Sequence, residues 1–152
     1  MKPLLVLLTS FLIALLITKR NRKHFQFDFS ARIALSIMLL FTALGHFVFT
    51  EGMAMMLPDI IPLKREMIYF TGVLEIGAAI VIHIPRFRTI AAWLLILFFI
   101  ALVPANINAA LLNVDYQNAT YEGHGIAYLW FRIPLQVLFV FWTYFSIGKT
   151  KA

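Results

Sequence analysis

Apolar residues in this chain come in long blocks, not at the period of two that a half-buried strand would show. The blocks cover residues 3–17, 31–50, 67–84, 89–112 and 126–146, with short polar or basic stretches between them. A helix needs about 20 apolar residues to cross a bilayer, so the last four blocks predict spanning helices. The first is shorter. Lys2 before an apolar core imitates a signal peptide, but no small-x-small site follows, and the basic cluster Lys19, Arg20, Arg22 and Lys23 lies on the wrong side. It reads as one short extra transmembrane helix, about 3–18, with a removable or interfacial segment as the alternative.

The connections support this division. Residues 51–66, EGMAMMLPDIIPLKRE, are too polar and Pro-broken to span, and their Met and Ile content predicts a segment lying on or dipping into the bilayer surface. Pro85 ends the third block, with Arg86 and Arg88 beside it. Pro104 falls inside the fourth block and weakens its hydrogen-bond ladder just before Asn106 and Asn108. Residues 113–125 form a polar loop with Asp115, Tyr116, Tyr121, Glu122 and His124. No linker, low-complexity tract or internal repeat interrupts the chain.

Composition then fixes the class. With 62% hydrophobic and 13% charged residues, the chain is expected to be a single all-α membrane domain over 1–152. The net charge of +6 does not point to nucleic acid, because the basic residues cluster at the ends of apolar blocks. Without cysteine the chain forms no disulfide and offers no thiolate ligand. Alternate connections differ in charge. One side holds Lys19, Arg20, Arg22, Lys23, Arg32, Arg86, Arg88, Lys149 and Lys151 with Asp28; the other holds Lys2, Lys64 and Arg65 against Glu51, Asp59, Glu66, Asp115 and Glu122. The positive-inside rule then predicts an N-terminus outside and a C-terminus inside. A bacterial inner membrane is the expected location.

The candidate chemistry sits in the outer half of the membrane. Glu75 is the only acid within a span, and a carboxyl group in hydrocarbon faces a partner or a wet cavity. Thr71 shares its face one turn earlier, as Thr42 does with His46. Counting from the outer ends at about 1.5 Å per residue, Arg132, Glu75 and Gln136 lie at comparable depth, with His46, Asn106 and Asn108 nearer the surface. Arg132 and Gln136 share a face, which Tyr128 extends by a turn. A buried guanidinium needs a carboxylate or carbonyl partner, and with Glu75 the only acid in a span a Glu75–Arg132 pair is expected, with Gln136 and Thr71 filling remaining hydrogen bonds. Asn106 and Asn108 are about 200° apart on a regular helix, so one of them faces elsewhere unless Pro104 distorts the turn.

Two readings of these groups stand side by side. In one, Glu75 and Arg132 brace the helices. In the other, His46, Thr71, Glu75, Asn106, Asn108, Tyr128, Arg132 and Gln136 line an outward-facing pocket for a small lipophilic or amphipathic ligand, with His46 and Glu75 as acid–base candidates. His46 alone fits a hydrogen-bonded packing residue, and His83 an interface residue. Met53, Met55 and Met56 with His46 form a soft set that would suit Cu(I), but apolar methionines in an interfacial segment are the ordinary explanation. No metal is called for. Asn118-Ala119-Thr120 is a glycosylation sequon, meaningful only in a eukaryotic secretory pathway.

GHF at 45–47, MLPDIIP at 56–62, TGVLEIGAA at 71–79, PANINAA at 104–110 and YLWFRIPLQ at 128–136 resemble the DoxX-like family of small membrane proteins. The resemblance covers about 31–146. It implies a four-helix membrane bundle and loose association with redox or quinone-linked processes, with the family pattern falling on His46, Glu75, Pro104, Asn106, Arg132 and Gln136. Thiol redox work does not transfer to a chain without cysteine, so electron chemistry would belong to a bound quinone or a partner. The functions expected are ligand binding in quinone-linked redox processes, membrane-protein assembly, or double-bond isomerisation of the sterol type. The partners expected are the bilayer, a small ligand and either another membrane protein or a second copy. A transporter is less suited to a monomer of this size.

Overall fold

A computed structural model describes residues 2–22 and 25–147. Lys23, Lys149 and Lys151 of the expected basic side lie outside them. Seven helices follow in order: α1 Lys2–Arg22, α2 Phe27–Val48, α3 Thr50–Met56, α4 Lys64–Val81, α5 Arg88–Ala101, α6 Val103–Leu111 and α7 Ile126–Ser146. The described residues form no strand, only an isolated bridge between Asp115 and Thr120.

Among the described residues, four helical stretches are long and apolar enough to cross a membrane: Lys2–Asn21, Phe27–Val48, Arg88–Leu111 and Ile126–Ser146. The first was expected to be short, yet α1 runs for 21 residues. Its last turn continues through Lys19 and Arg20, whose long stems allow a charged head to stay near water while the backbone remains helical. The third expected span, 67–84, is shifted. α4 starts earlier and ends at Val81, and its 18 residues carry Lys64, Arg65, Glu66 and Glu75, so it is not among the four. Turns over 82–87 then lead into α5. The fourth block is divided at Leu102 into α5 and α6, because Pro104 stands in the first turn of α6 and cannot donate to the helix before it.

α2 is the central element. It packs most extensively on α1 and α4 and also meets α7, while α7 packs on α5 and α6. The core is made of Leu7 from α1, Leu35, Met38 and Leu39 from α2, Ile82 after α4, Leu95 and Phe99 from α5, and Leu135 and Phe139 from α7. Large apolar side chains such as Leu97, Trp130 and Phe145 are exposed on the outer faces, as suits contact with lipid.

The two ends of the bundle differ. At one end the C-terminus of α1, the N-terminus of α2 and the C-terminus of α7 meet. Thr18 and Ser30 share a hydrogen bond of 3.2 Å, Arg32 donates to the Ser146 carbonyl at 2.8 Å, and Trp142 donates to the Ala31 carbonyl at 3.2 Å. At the other end, α3 packs on α4 and α6. There Lys64 bridges Asp59 and Arg65 bridges Glu51, each at 2.7 Å, and the Lys64 hydrogen bond and charge hold the Asp59 carboxyl below its usual range. Gly52 of α3 lies so close to the 113–125 loop that a Cβ would overlap the Tyr116 carbonyl. Gly125, at φ 56°, turns that loop into α7.

Candidate functional site

The polar residues of the spans converge on a cavity of about 450 Å³ at the α3 end of the bundle. Its walls come from α2, α4, the α5–α6 pair and α7, with Met53, Met56, Tyr116 and Gln117 over them and Lys2 and Pro3 of α1 at one edge. Thr42, His46, Thr71, Glu75, Asn106, Arg132 and Gln136 reach it, among apolar walls that include Met38, Phe99, Leu135 and Phe139.

On the α2–α4 side, Gly72 lets the helices approach until a Cβ there would stand 3.0 Å from the His46 Cβ. That closeness joins their side chains. Thr71 Oγ1 lies 3.0 Å from His46 Nδ1 and donates to the Ile68 carbonyl at 2.8 Å. Its one proton is thus committed, so Nδ1–H donates to Thr71. His46 Nε2 is left facing Glu75 Oε2 at 3.6 Å. Thr42 donates to the same carboxylate oxygen at 2.8 Å. Glu75 is only 4% exposed, and its other oxygen, Oε1, has no protein partner among the described residues.

On the opposite side, Asn106 is the organiser. Its Nδ2 donates to the Leu102 carbonyl at 3.0 Å, a bond within reach because Pro104 and Asn106 sit in the first turns of α6. Its Oδ1 accepts from Tyr128 Oη and Arg132 Nε, each at 3.2 Å. The guanidinium also stacks over the Tyr128 ring at 5.6 Å. Gln136 donates to the Phe99 carbonyl at 3.3 Å, and its Oε1 is buried without a partner.

The expected Glu75–Arg132 pair does not form. Glu75 bonds across to α2, and Arg132 bonds across to α6. The reason is neighbour order: α4 packs on α2, α3 and α5, whereas α7 packs on α2, α5 and α6. Nor do Gln136 and Thr71 complete such a pair, since each bonds to a different helix. Asn106 and Asn108 diverge as their spacing predicts. Asn108 points to the Met56 carbonyl at 3.0 Å and holds the end of α3. Tyr128 stands behind Asn106, outside the cavity lining. Of the soft set, Met53 and Met56 line the cavity with His46, Met55 does not, and both histidine nitrogens face Thr71 or Glu75. No group of three His, Asp or Glu among the described residues is placed to hold a metal. His83 shares a hydrogen bond of 2.9 Å with Ser36 far from this site.

Thr42 was legible only as a face-mate of His46; its bond to Glu75 depends on α4 lying beside α2. The apolar walls carry no local sequence signal that separates them from lipid-facing residues.

No curated protein matches the chain, and no solved structure does. The family described as Domain of unknown function (DUF8561) matches residues 35–146, from α2 through the end of α7, and the chain belongs to that family.

Proposed function

We propose that this protein binds a small lipophilic or amphipathic ligand in the cavity between α2, α4, α6 and α7. The observation that carries the reading is unspent hydrogen-bonding capacity around one hollow. Gln136 Oε1 is buried without a partner among the described residues, Glu75 bonds through Oε2, and the Arg132 guanidinium, bonded to Asn106 and Tyr128, keeps further donors at the cavity wall. An unmet buried polar group such as Gln136 Oε1 costs about 1–3 kcal/mol, which a packing brace alone would not retain. A ligand with oxygens in its head and an apolar body would answer both the polar groups and the Met and Phe walls. A quinone in redox processes belongs to that class, as the resemblance to DoxX-like proteins also suggests. The orientation with this end outward, in a bacterial inner membrane, belongs to the same reading, supported by the basic residues at the opposite end.

The His46–Glu75 contact favours a second reading, an isomerase that shifts a double bond. Glu75 would take a proton from one carbon and pass it to His46 Nε2, which the Thr71 contact at Nδ1 leaves as the basic nitrogen, and the imidazolium would return that proton to another carbon.

The test compares the purified protein with Glu75→Gln by native mass spectrometry and thermal melting. A wild type carrying a defined small molecule, lost in a folded Glu75→Gln, is the expected result. If neither carries a ligand and the variant melts much earlier, Glu75 is a brace and the cavity is not a binding site.

A further inference from the structure

We infer that the ligand is a single-chain amphiphile with an anionic head, a carboxylate or a phosphate, seated on Arg132; this rests on the cavity being a binding site as proposed above. Two observations narrow the class that far.

The first is charge. Arg132 carries a guanidinium with five N–H donors and no acceptor. One, on Nε, is used by Asn106 Oδ1. The guanidinium also hydrogen-bonds the Tyr128 side chain, and its terminal nitrogens have no other acceptor among the described residues. No carboxylate lies within ion-pair distance of it among them. Glu75, the only acid lining the cavity among the described residues, stands on the far wall, where Thr42 donates to its Oε2 at 2.8 Å. Lys2 adds a second positive group to the lining. The hollow thus has a guanidinium with open donors on one wall, apart from the carboxylate on the other. Such a fork matches two oxygens of one anion better than a single neutral oxygen.

The second is size. A cavity of about 450 Å³ lies in the lower part of the range of small-molecule sites, roughly 300–1,000 Å³. That suits one chain of moderate length with its head better than a two-chain lipid. The wall beyond Arg132, built from Leu135, Phe139, Phe99 and Met38, is apolar and suits such a chain.

The test uses the full chain in a neutral maltoside detergent. Dodecanoate, dodecyl phosphate, dodecanol and a neutral short-chain quinone compete for binding, read by native mass spectrometry. Wild type should prefer an anionic probe over dodecanol by at least about tenfold, the scale of a charge-assisted bond. Arg132→Gln should erase that ratio. Leu135→Trp, which fills the hollow, should lose every probe. Preference between dodecanoate and dodecyl phosphate assigns the head to a fatty acid or to a phosphate monoester. If dodecanol or the quinone binds as tightly as the anions, the anionic class is wrong while the binding site stands. If no probe binds, or Leu135→Trp binds them all, the site itself is wrong. The wild-type ratio decides the charge preference even if Arg132→Gln does not fold.

Discussion

Gly72→Ala should destabilise the protein, while Gly77→Ala, barely more than one turn away on the same helix, should stabilise it. A methyl at Gly72 would stand 3.0 Å from the His46 Cβ and 3.3 Å from Phe47 Cε2. Carbon atoms pack at about 3.5–4.0 Å, so α4 must retreat from α2 by about half an ångström. The His46 Cβ cannot yield, since it is fixed to the α2 backbone, although the exposed Phe47 ring can turn aside. Overpacking of this kind costs about 1–3 kcal/mol. Replacing Gly by Ala in a helix returns about 0.5–1 kcal/mol through the backbone. At Gly77 nothing lies within 4 Å of a new Cβ, so only that gain remains. The gap between the two variants isolates the packing term, about 1–3 kcal/mol. Equilibrium unfolding of both in mixed micelles measures it. The retreat would also stretch the 3.0 Å contact between Thr71 and His46, so Gly72→Ala should weaken ligand retention beyond its loss of stability. Equal stabilities for the two variants would refute the close α2–α4 approach and, with it, the geometry assigned to His46.

Further outcomes follow from other contacts. Asn106→Leu strands the Tyr128 hydroxyl and Arg132 Nε together and should cost about 1–3 kcal/mol for each donor left buried; Tyr128→Phe removes a single bond and should cost about 0.5–1.5 kcal/mol, both read by thermal melting. Asn108→Ala releases the Met56 carbonyl, so amide exchange should quicken over 50–57 while the α2–α4 amides keep their protection. The Asp115 carboxyl is held below its usual range by the Asn118 side chain and the Gln117 and Asn118 amides. Its folded value is therefore the lower one, so its stabilisation of the loop is present in full above about 3.9, the unfolded value, and is lost as pH falls through the folded value. The amide resonances of Gln117 and Asn118 should report that transition, and Asp115→Asn should abolish it.

The heights of the polar groups were readable from sequence because each span has identifiable ends, and rise per residue does the rest. His46, Glu75, Asn106, Arg132 and Gln136 do meet around one hollow. Their partners were not readable. Height along a helix says nothing about which helix stands next to it, and the pairing of Glu75 with α2 and not α7 is set by neighbour order alone. The divergence of Asn106 and Asn108 was legible, since angular spacing within one helix is local. The length of α1 was underestimated because counting apolar residues stops at Ile17, whereas the helix tolerates Lys19 and Arg20 at its end. α3 hid for a related reason: a seven-residue helix in a Met-rich connection has too few turns to show a period.

The family matches from residue 35 onward, and α1 lies wholly before that point. Yet Lys2 and Pro3 border the cavity, and Leu7 is completely buried in the core. The cavity lining thus draws on two separate stretches of chain. Because α1 packs chiefly on α2, which carries Thr42 and His46, a change in α1 reaches the Glu75 contacts through the helix between them as well as the lining directly.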